Sequence, residues 1–242
     1  MQLKYYLREV LNFLHLDLTK NLLYDRLTKK IIKKTIKSNS ICIDIGCHKG
    51  EIFSLFLKQA PNGGHYAFEP IPFYYKLLKQ KYGDKNHIFS FALSDEIGET
   101  KFNYVKNAPA YSGFLKRKYL ISNPDIEEIT VKTITLDEII GTNQKIDFIK
   151  IDVEGAEMKV LKGAEKVIES FKPVVIFEFG KGASDFYNTT PKDIYNFFED
   201  KNMKINTLKG WLNKKNPLTL DSFEEIYNCN KEYYFIASKI SK

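Results

Sequence analysis

The chain has 242 residues, 43% of them hydrophobic and 28% charged, with 13 Gly, 8 Pro and a formal net charge of +7. These proportions exclude disordered, collagen-like and low-complexity chains, and the length suffices to bury one sizeable core without staples. Cys42, Cys47 and Cys229 form no C-x-x-C pair, which argues against a disulfide framework or a structural zinc site and fits reduced thiols in a cytoplasmic protein.

Residues 1–37 carry a helical stripe. Leu3, Leu7, Val10, Leu11 and Leu14 share one face, Leu22, Leu23, Leu27, Ile31 and Ile32 renew it, and Lys and Arg stand opposite. The segment is expected to be a helical extension capping a later core. The alternative is a basic helix resting on a membrane, so peripheral contact is the most membrane involvement expected. No apolar run approaches the ~20 residues of a bilayer span, and residues 1–20 lack a signal-peptide pattern. Lys29, Lys30, Lys33, Lys34 and Lys37 read as a solvated face, and without a recognition motif beside them no nucleic-acid partner is expected.

From residue 38 the period changes. Residues 41–46, 65–69 and 86–93 read as buried strands, separated by helices over 50–59 and 72–82. Residues 101–105 and 128–136 alternate as paired or edge strands around a polar, aromatic stretch, so an insertion is expected over about 100–136. Parallel order returns with a strand at 145–151, a helix at 156–170 and a strand at 173–179. A helix at 193–200 and closing strands at 204–208 and 232–237 complete an α/β domain over residues 38–242 with a mostly parallel sheet.

Ligands of an open parallel sheet sit beyond the carboxyl ends of its strands. Those ends carry Asp44 with Gly46, then Glu69, then Ser94 with Asp95, then Asp152 with Glu154, then Glu178. Gly46 and Gly50, flanking Cys47 and His48, permit a close backbone approach to a ligand, and Glu69 is placed to accept both hydroxyls of a ribose. His48 occupies the second glycine of a dinucleotide fingerprint, and Asp44 would repel phosphate but suits an ammonium. The pattern therefore points to S-adenosylmethionine ahead of NAD. His48 reads as a surface turn residue or a catalytic base, and Cys47 as a loop filler. Asp152, Glu154 and Glu178 converge on one mouth, where they can deprotonate an alcohol or hold a hard divalent cation, with Asp152 and Glu178 as candidate ligands. Glu157 fits a structural role at a helix N-terminus. In the insertion, Tyr111, Ser112, Phe114, Lys116 and Arg117 combine aromatic faces with cations and are expected to contact the acceptor, though an exposed loop would look similar.

Asp44-Ile45-Gly46, Phe68-Glu69-Pro70, Ala92-Leu93-Ser94-Asp95, and above all residues 149–157 (IKIDVEGAE) followed by residues 160–164 (VLKGA) resemble FkbM-type methyltransferases over about residues 40–179. The resemblance implies a Rossmann-like class I methyltransferase fold, with a seven-stranded, mostly parallel sheet and helices on both faces. It also implies an S-adenosylmethionine-dependent enzyme that O-methylates a sugar, glycan or glycosylated metabolite. Carried across, Asp44 and Gly46 line the methionine end, Glu69 binds the ribose, Ser94 and Asp95 lie near adenine, and Asp152 with Glu154 lie near the acceptor. An RNA or protein methyltransferase, or a cofactor-binding module without catalysis, stands as the rival reading.

Overall fold

The computed structural model describes residues 19–83, 86–119 and 121–239, so the stripe on Leu3, Leu7, Val10, Leu11 and Leu14 lies outside the described residues. In chain order the elements are α1 (Lys20–Thr35), β1 (Cys42–Ile45), α2 (Glu51–Gln59), β2 (Tyr66–Phe68), α3 (Pro72–Tyr82), β3 (His87–Phe89) and β4 (Phe91–Leu93). β5 (Gly98–Val105), β6 (Ile126–Ile134) and α4 (Leu136–Ile140) form the middle. Then come β7 (Phe148–Ile151), α5 (Glu157–Lys162), α6 (Glu165–Phe171), β8 (Val174–Glu178), α7 (Pro191–Glu199), β9 (Met203–Thr207), α8 (Leu208–Leu212), α9 (Leu220–Asn228) and β10 (Tyr234–Lys239).

The main sheet has seven strands in the order β3-β2-β1-β7-β8-β10-β9. The first five run parallel, and β10 is antiparallel to both β8 and β9. This is the Rossmann-like α/β architecture expected. Every residue of β1 and β7 is buried, as strands covered on both faces require. One face packs on α5, α6, α7 and α9 through Val160, Ile168, Phe198 and Phe223. The other packs on α1, α2 and α3 through Ile31, Ile32, Phe53, Phe56 and Leu78. The described half of the N-terminal stripe is thus core: Leu27, Ile31 and Ile32 are buried against the sheet. No described helix is long and apolar enough to cross a membrane.

Two expected elements divide. The strand read over 86–93 breaks at Ser90, and β3 stays in the main sheet while β4 joins a second sheet in the order β4-β6-β5. The reason is pairing. β2 ends at Phe68, whose register partner is Phe89, so beyond that point only β6 offers a ladder, with Phe91 opposite Lys132. The helix read over 156–170 breaks into α5 and α6 at Gly163-Ala164, where the Gly163 carbonyl accepts from Asp137 N at 2.9 Å. The segment expected to be an insertion forms the β5–β6 arm of the second sheet, and residues 103 and 113 bridge so that the segment between them folds back over the crevice.

Candidate active site

The strand order reverses between β1 and β7, which lie side by side with Ile45 opposite Ile151. Asp152 N donates to the Ile45 carbonyl (3.1 Å), while Gly46 N and Cys47 N both donate to the Phe68 carbonyl (3.1 Å each). The three strand tips are therefore knitted together by backbone. Gly46 (φ +74°) is needed because a Cβ there would lie 1.9 Å from the Asp152 carbonyl oxygen. At Gly50 (φ +75°) a Cβ would meet Leu78 and the Tyr82 ring. These glycines were expected to admit a ligand, but the space of their missing Cβ atoms is taken by the protein's own β7 loop and α3.

A cavity of about 360 Å³ opens over these tips. Its floor is Asp44 to Lys49, Glu69 to Ile71 and Phe91 to Leu93; Lys150, Asp152, Val153, Glu154, Glu178 and Tyr234 line the far end. The insertion covers it with Pro109, Ala110, Ser112 and Phe114. Asn21, Tyr24, Asp25 and Thr28 of α1 complete the wall.

Lys150 ties the two ends together. Its buried ammonium lies 3.1 Å from Asp152 Oδ2 and 3.7 Å from Asp44 Oδ1, and donates to the Gly46 carbonyl at 3.2 Å. Burial lowers its proton affinity, but the Asp152 and Asp44 charges prevail and hold it protonated. Asp44 is buried and neither carboxylate oxygen finds a hydrogen-bond partner, so burial pushes its carboxyl up against the pull of Lys150. Tyr234 Oη donates to Asp152 Oδ2 at 2.6 Å. Burial alone would raise Asp152; the Lys150 charge and hydrogen bonds from Glu178, Tyr234 and Lys150 outweigh it and hold the carboxyl below the usual range. Glu178, hydrogen-bonded to Asp152, goes the other way: burial and the neighbouring Asp152, Glu154 and Glu157 charges push it well up. Of the two carboxyls, Glu178 is therefore the one that favours the proton and Asp152 the one that favours the charge.

Glu154, at φ +59°, forms a salt bridge with Arg117, which opposes the upward push of burial and of Asp152. Asp152, Glu154 and Glu178 offer carboxylate oxygens within 4.8 Å of one another, a spacing a hard cation can gather. The surrounding charges do not fit one. A metal would have to displace Lys150 from Asp152 and Arg117 from Glu154, and strip the proton from Glu178.

Glu69 Oε2 accepts from His48 N (2.7 Å) and Oε1 from Ile71 N (3.0 Å). Burial pushes its carboxyl up to about 7 despite these two bonds. Between roughly pH 4.5 and 7 the folded protein therefore holds a proton that the unfolded chain has lost, and stability falls as pH rises through that window. Glu69→Gln removes this contribution. Relative to the parent, the variant is expected to gain on the order of 3 kcal/mol between pH 4.5 and 7.5. A difference in urea-unfolding free energy that does not change with pH would refute the shift. Glu157, also raised to about 7 by burial, stands at the N-terminus of α5 as expected, but what it does there is accept from Val153 N and Gly155 N and so brace the β7 loop.

Residues 44–205, well over half of the chain, match the methyltransferase FkbM domain. The chain belongs to the FkbM methyltransferase family. It is 27% identical over 164 residues to the AMB antimetabolite synthetase AmbE of Pseudomonas aeruginosa, covering 52% of this chain and 8% of that protein. It is also 27% identical over 154 residues to the 2-O-methyltransferase NoeI of Sinorhizobium fredii, covering 58% of this chain and 63% of NoeI. The chain thus spans less than two thirds of the length of either relative. Among solved structures, the methyltransferase FkbM of Methylobacillus flagellatus shares the fold, with a TM-score of 0.51 at 14% identity over 84% of this chain and 44% of that one. The methyltransferases of this fold draw their methyl group from S-adenosylmethionine.

Against what the FkbM resemblance implies, the structure brings Asp44, Gly46, Cys47, His48, Glu69, Asp152, Glu154 and Glu178 into one cavity together with Ser112 and Phe114. Ser94 and Asp95 do not line it. Ser94 Oγ donates to Asp95, Asp95 bonds Lys159 at 3.0 Å, and Asp95 lines a separate depression beside Lys162. The slot beside Glu69 is instead walled by Phe68, Ile71, Phe91, Leu93 and Phe102. Gly50 caps α2 outside the wall. Tyr111, Lys116 and Arg117 also fall outside it: Lys116 is exposed, and Arg117 stacks 4.9 Å over Tyr111 while clasping Glu154. His48 is half-buried against Tyr74 (4.2 Å), not a surface residue, and burial lowers its pKa to about 4, so it is neutral. Burial pushes the Cys47 thiol well up, which fits a filler. Lys150, Tyr234 and the α1 residues were missed. Lys150 had a signal, since a charge inside an apolar strand run must be paired; Tyr234 and α1 had none.

Proposed function

We propose that this chain transfers a methyl group from S-adenosylmethionine to a hydroxyl of a sugar, glycan or glycosylated metabolite. One observation carries the reading: an ionised Asp152, fixed by Lys150 and Tyr234, stands in the same cavity as buried Asp44, whose oxygens accept no hydrogen bond and face the Lys150 ammonium at 3.7 Å. The cavity fits the cofactor. Asp44 suits its ammonium, Glu69 its ribose hydroxyls, and the Phe68, Phe91 and Phe102 slot a purine. NoeI, named a 2-O-methyltransferase, supports a hydroxyl acceptor.

S-adenosylmethionine supplies an already activated methyl group when bound. Asp152 takes the acceptor proton as the hydroxyl oxygen forms its new bond. A low-pKa carboxylate suffices, because that oxygen becomes strongly acidic as it loses electron density. Tyr234 and Lys150 hold the carboxylate still, and protonated Glu178 keeps a second negative charge away from it. Phe114, Pro109 and Ser112 of the insertion exclude water above.

The test is labelled methyl transfer onto glycans and methyl glycosides, beside calorimetry with S-adenosylhomocysteine. Transfer to a sugar hydroxyl with micromolar-range cofactor binding is the expected result. Transfer to RNA or protein, or binding without transfer to any of them, would overturn it. Because two cations already occupy the acids, EDTA is expected to leave the rate within about twofold. A tenfold loss restored by Mg²⁺ would recast Asp152 as a metal ligand.

A further inference from the structure

The face of α1 that carries Asn21, Tyr24, Asp25 and Thr28 repeats at helical spacing and lines the cavity at the Asp152 end. It lies before residue 44, outside the part of the chain that matches the family. It is also held rigidly. Lys20 Nζ donates to the carbonyls of Asn230 (3.1 Å) and Lys231 (2.8 Å), and Tyr233 N donates to Tyr24 Oη (3.3 Å). The Tyr24 ring lies 5.1 Å from that of Tyr234, whose hydroxyl holds Asp152. A wall fixed in this way to the proton acceptor is preorganised to position whatever hydroxyl Asp152 serves.

The charges on the cavity wall narrow what that is. Glu178 is pushed towards its protonated form and Glu154 is paired with Arg117, which leaves Asp25, Asp44, Glu51, Glu69 and Asp152 as the wall's acids against Lys49 and Lys150, with Lys150 held between Asp44 and Asp152. Arg117, a cation expected to contact the acceptor, pairs with Glu154 instead. We propose that α1 selects the acceptor, Asn21, Asp25 and Thr28 meeting hydroxyl or amino groups of a neutral or amino sugar, while the acid-rich wall rejects uronic and phosphorylated sugars. This rests on the sugar reading above.

Kinetics with methyl glycosides of neutral, amino and uronic sugars tests it. Neutral or amino glycosides are expected to exceed the uronide by about 100-fold in kcat/KM, since like charges brought together at a desolvated site cost several kcal/mol. Asn21→Ala and Thr28→Val should each raise KM for the best glycoside about tenfold, leaving kcat and S-adenosylhomocysteine affinity within about twofold. Asp25→Asn should shrink the uronide penalty about tenfold. Asn21 is exposed, so its variant keeps the test open should Thr28→Val fail to fold. A uronide as best acceptor, an unchanged KM in the α1 variants, or weakened cofactor binding in them would overturn the assignment. If the parent chain methylates no glycoside at all, the sugar reading falls, and this assignment with it.

Discussion

Asp152→Asn is expected to lower kcat about 1,000-fold, while S-adenosylhomocysteine binds within about threefold of its affinity for the parent. The amide keeps the side chain's size and still accepts from Tyr234, but it cannot take the acceptor's proton. Lys150 loses its nearer carboxylate, at 3.1 Å, and keeps Asp44 at 3.7 Å and the Gly46 carbonyl at 3.2 Å. With those partners left, the variant should lose about 1–3 kcal/mol of stability and remain folded. The measurement is single-turnover methyl transfer beside calorimetric binding, with thermal melting as the control for folding. A fall in kcat of less than tenfold in folded protein would remove Asp152 as the proton acceptor. Equal losses in cofactor affinity and turnover would place it at the cofactor end.

Gly46→Ala should cost about 3 kcal/mol of stability, from a left-handed backbone that disfavours a side chain and from overpacking against the Asp152 carbonyl at 1.9 Å. For a chain of this size that is a fall in melting temperature of roughly 6–12 °C by calorimetry. Gly141→Ala is the control. Its φ is +59° but nothing lies within 4 Å of the added Cβ, so it should cost only about 1 kcal/mol. Equal losses at the two positions would mean that the β1–β7 contact is soft. Turnover at Gly46→Ala should fall further than stability alone explains, because the backbone that must yield is that of Asp152 itself.

The acids of this site were legible because carboxylates at the ends of buried strands have no structural reason to crowd there. Asp44, Glu69, Asp152, Glu154 and Glu178 were found this way, and residues 149–157 pointed to the family by the same run of residues. What the acids do was not legible. Asp152 and Glu178 are both single carboxylates after an apolar strand, yet one is held ionised and the other protonated. The difference lies in Lys150 and Tyr234, which approach Asp152 from β7 and β10. Arg117 shows the converse. Its charge and aromatic neighbours suggested acceptor binding, but its partner, Glu154, is far away in sequence. Ser94 and Asp95, expected near adenine, do not line the cavity: although Phe91 to Leu93 just before them do, Ser94 bonds Asp95 and Asp95 pairs with Lys159.

Local sequence determined the main alternation of strands and helices, the parallel sheet, and the acids at its carboxyl edge, though not the short helices α4 and α8 or the helix α9. Each follows from periodicity and from neighbours within a few residues, where sterics and hydrophobic patterning act directly. Tertiary structure alone decided which strand tips meet, which carboxyl keeps its proton, and that α1 walls the site. Those outcomes depend on charge pairs, hydrogen bonds and burial between residues more than 200 positions apart, such as Lys20 and Lys231, 211 positions apart. Electrostatic energy in a desolvated site is set by ångströms of separation in space, and distance along the chain does not encode it.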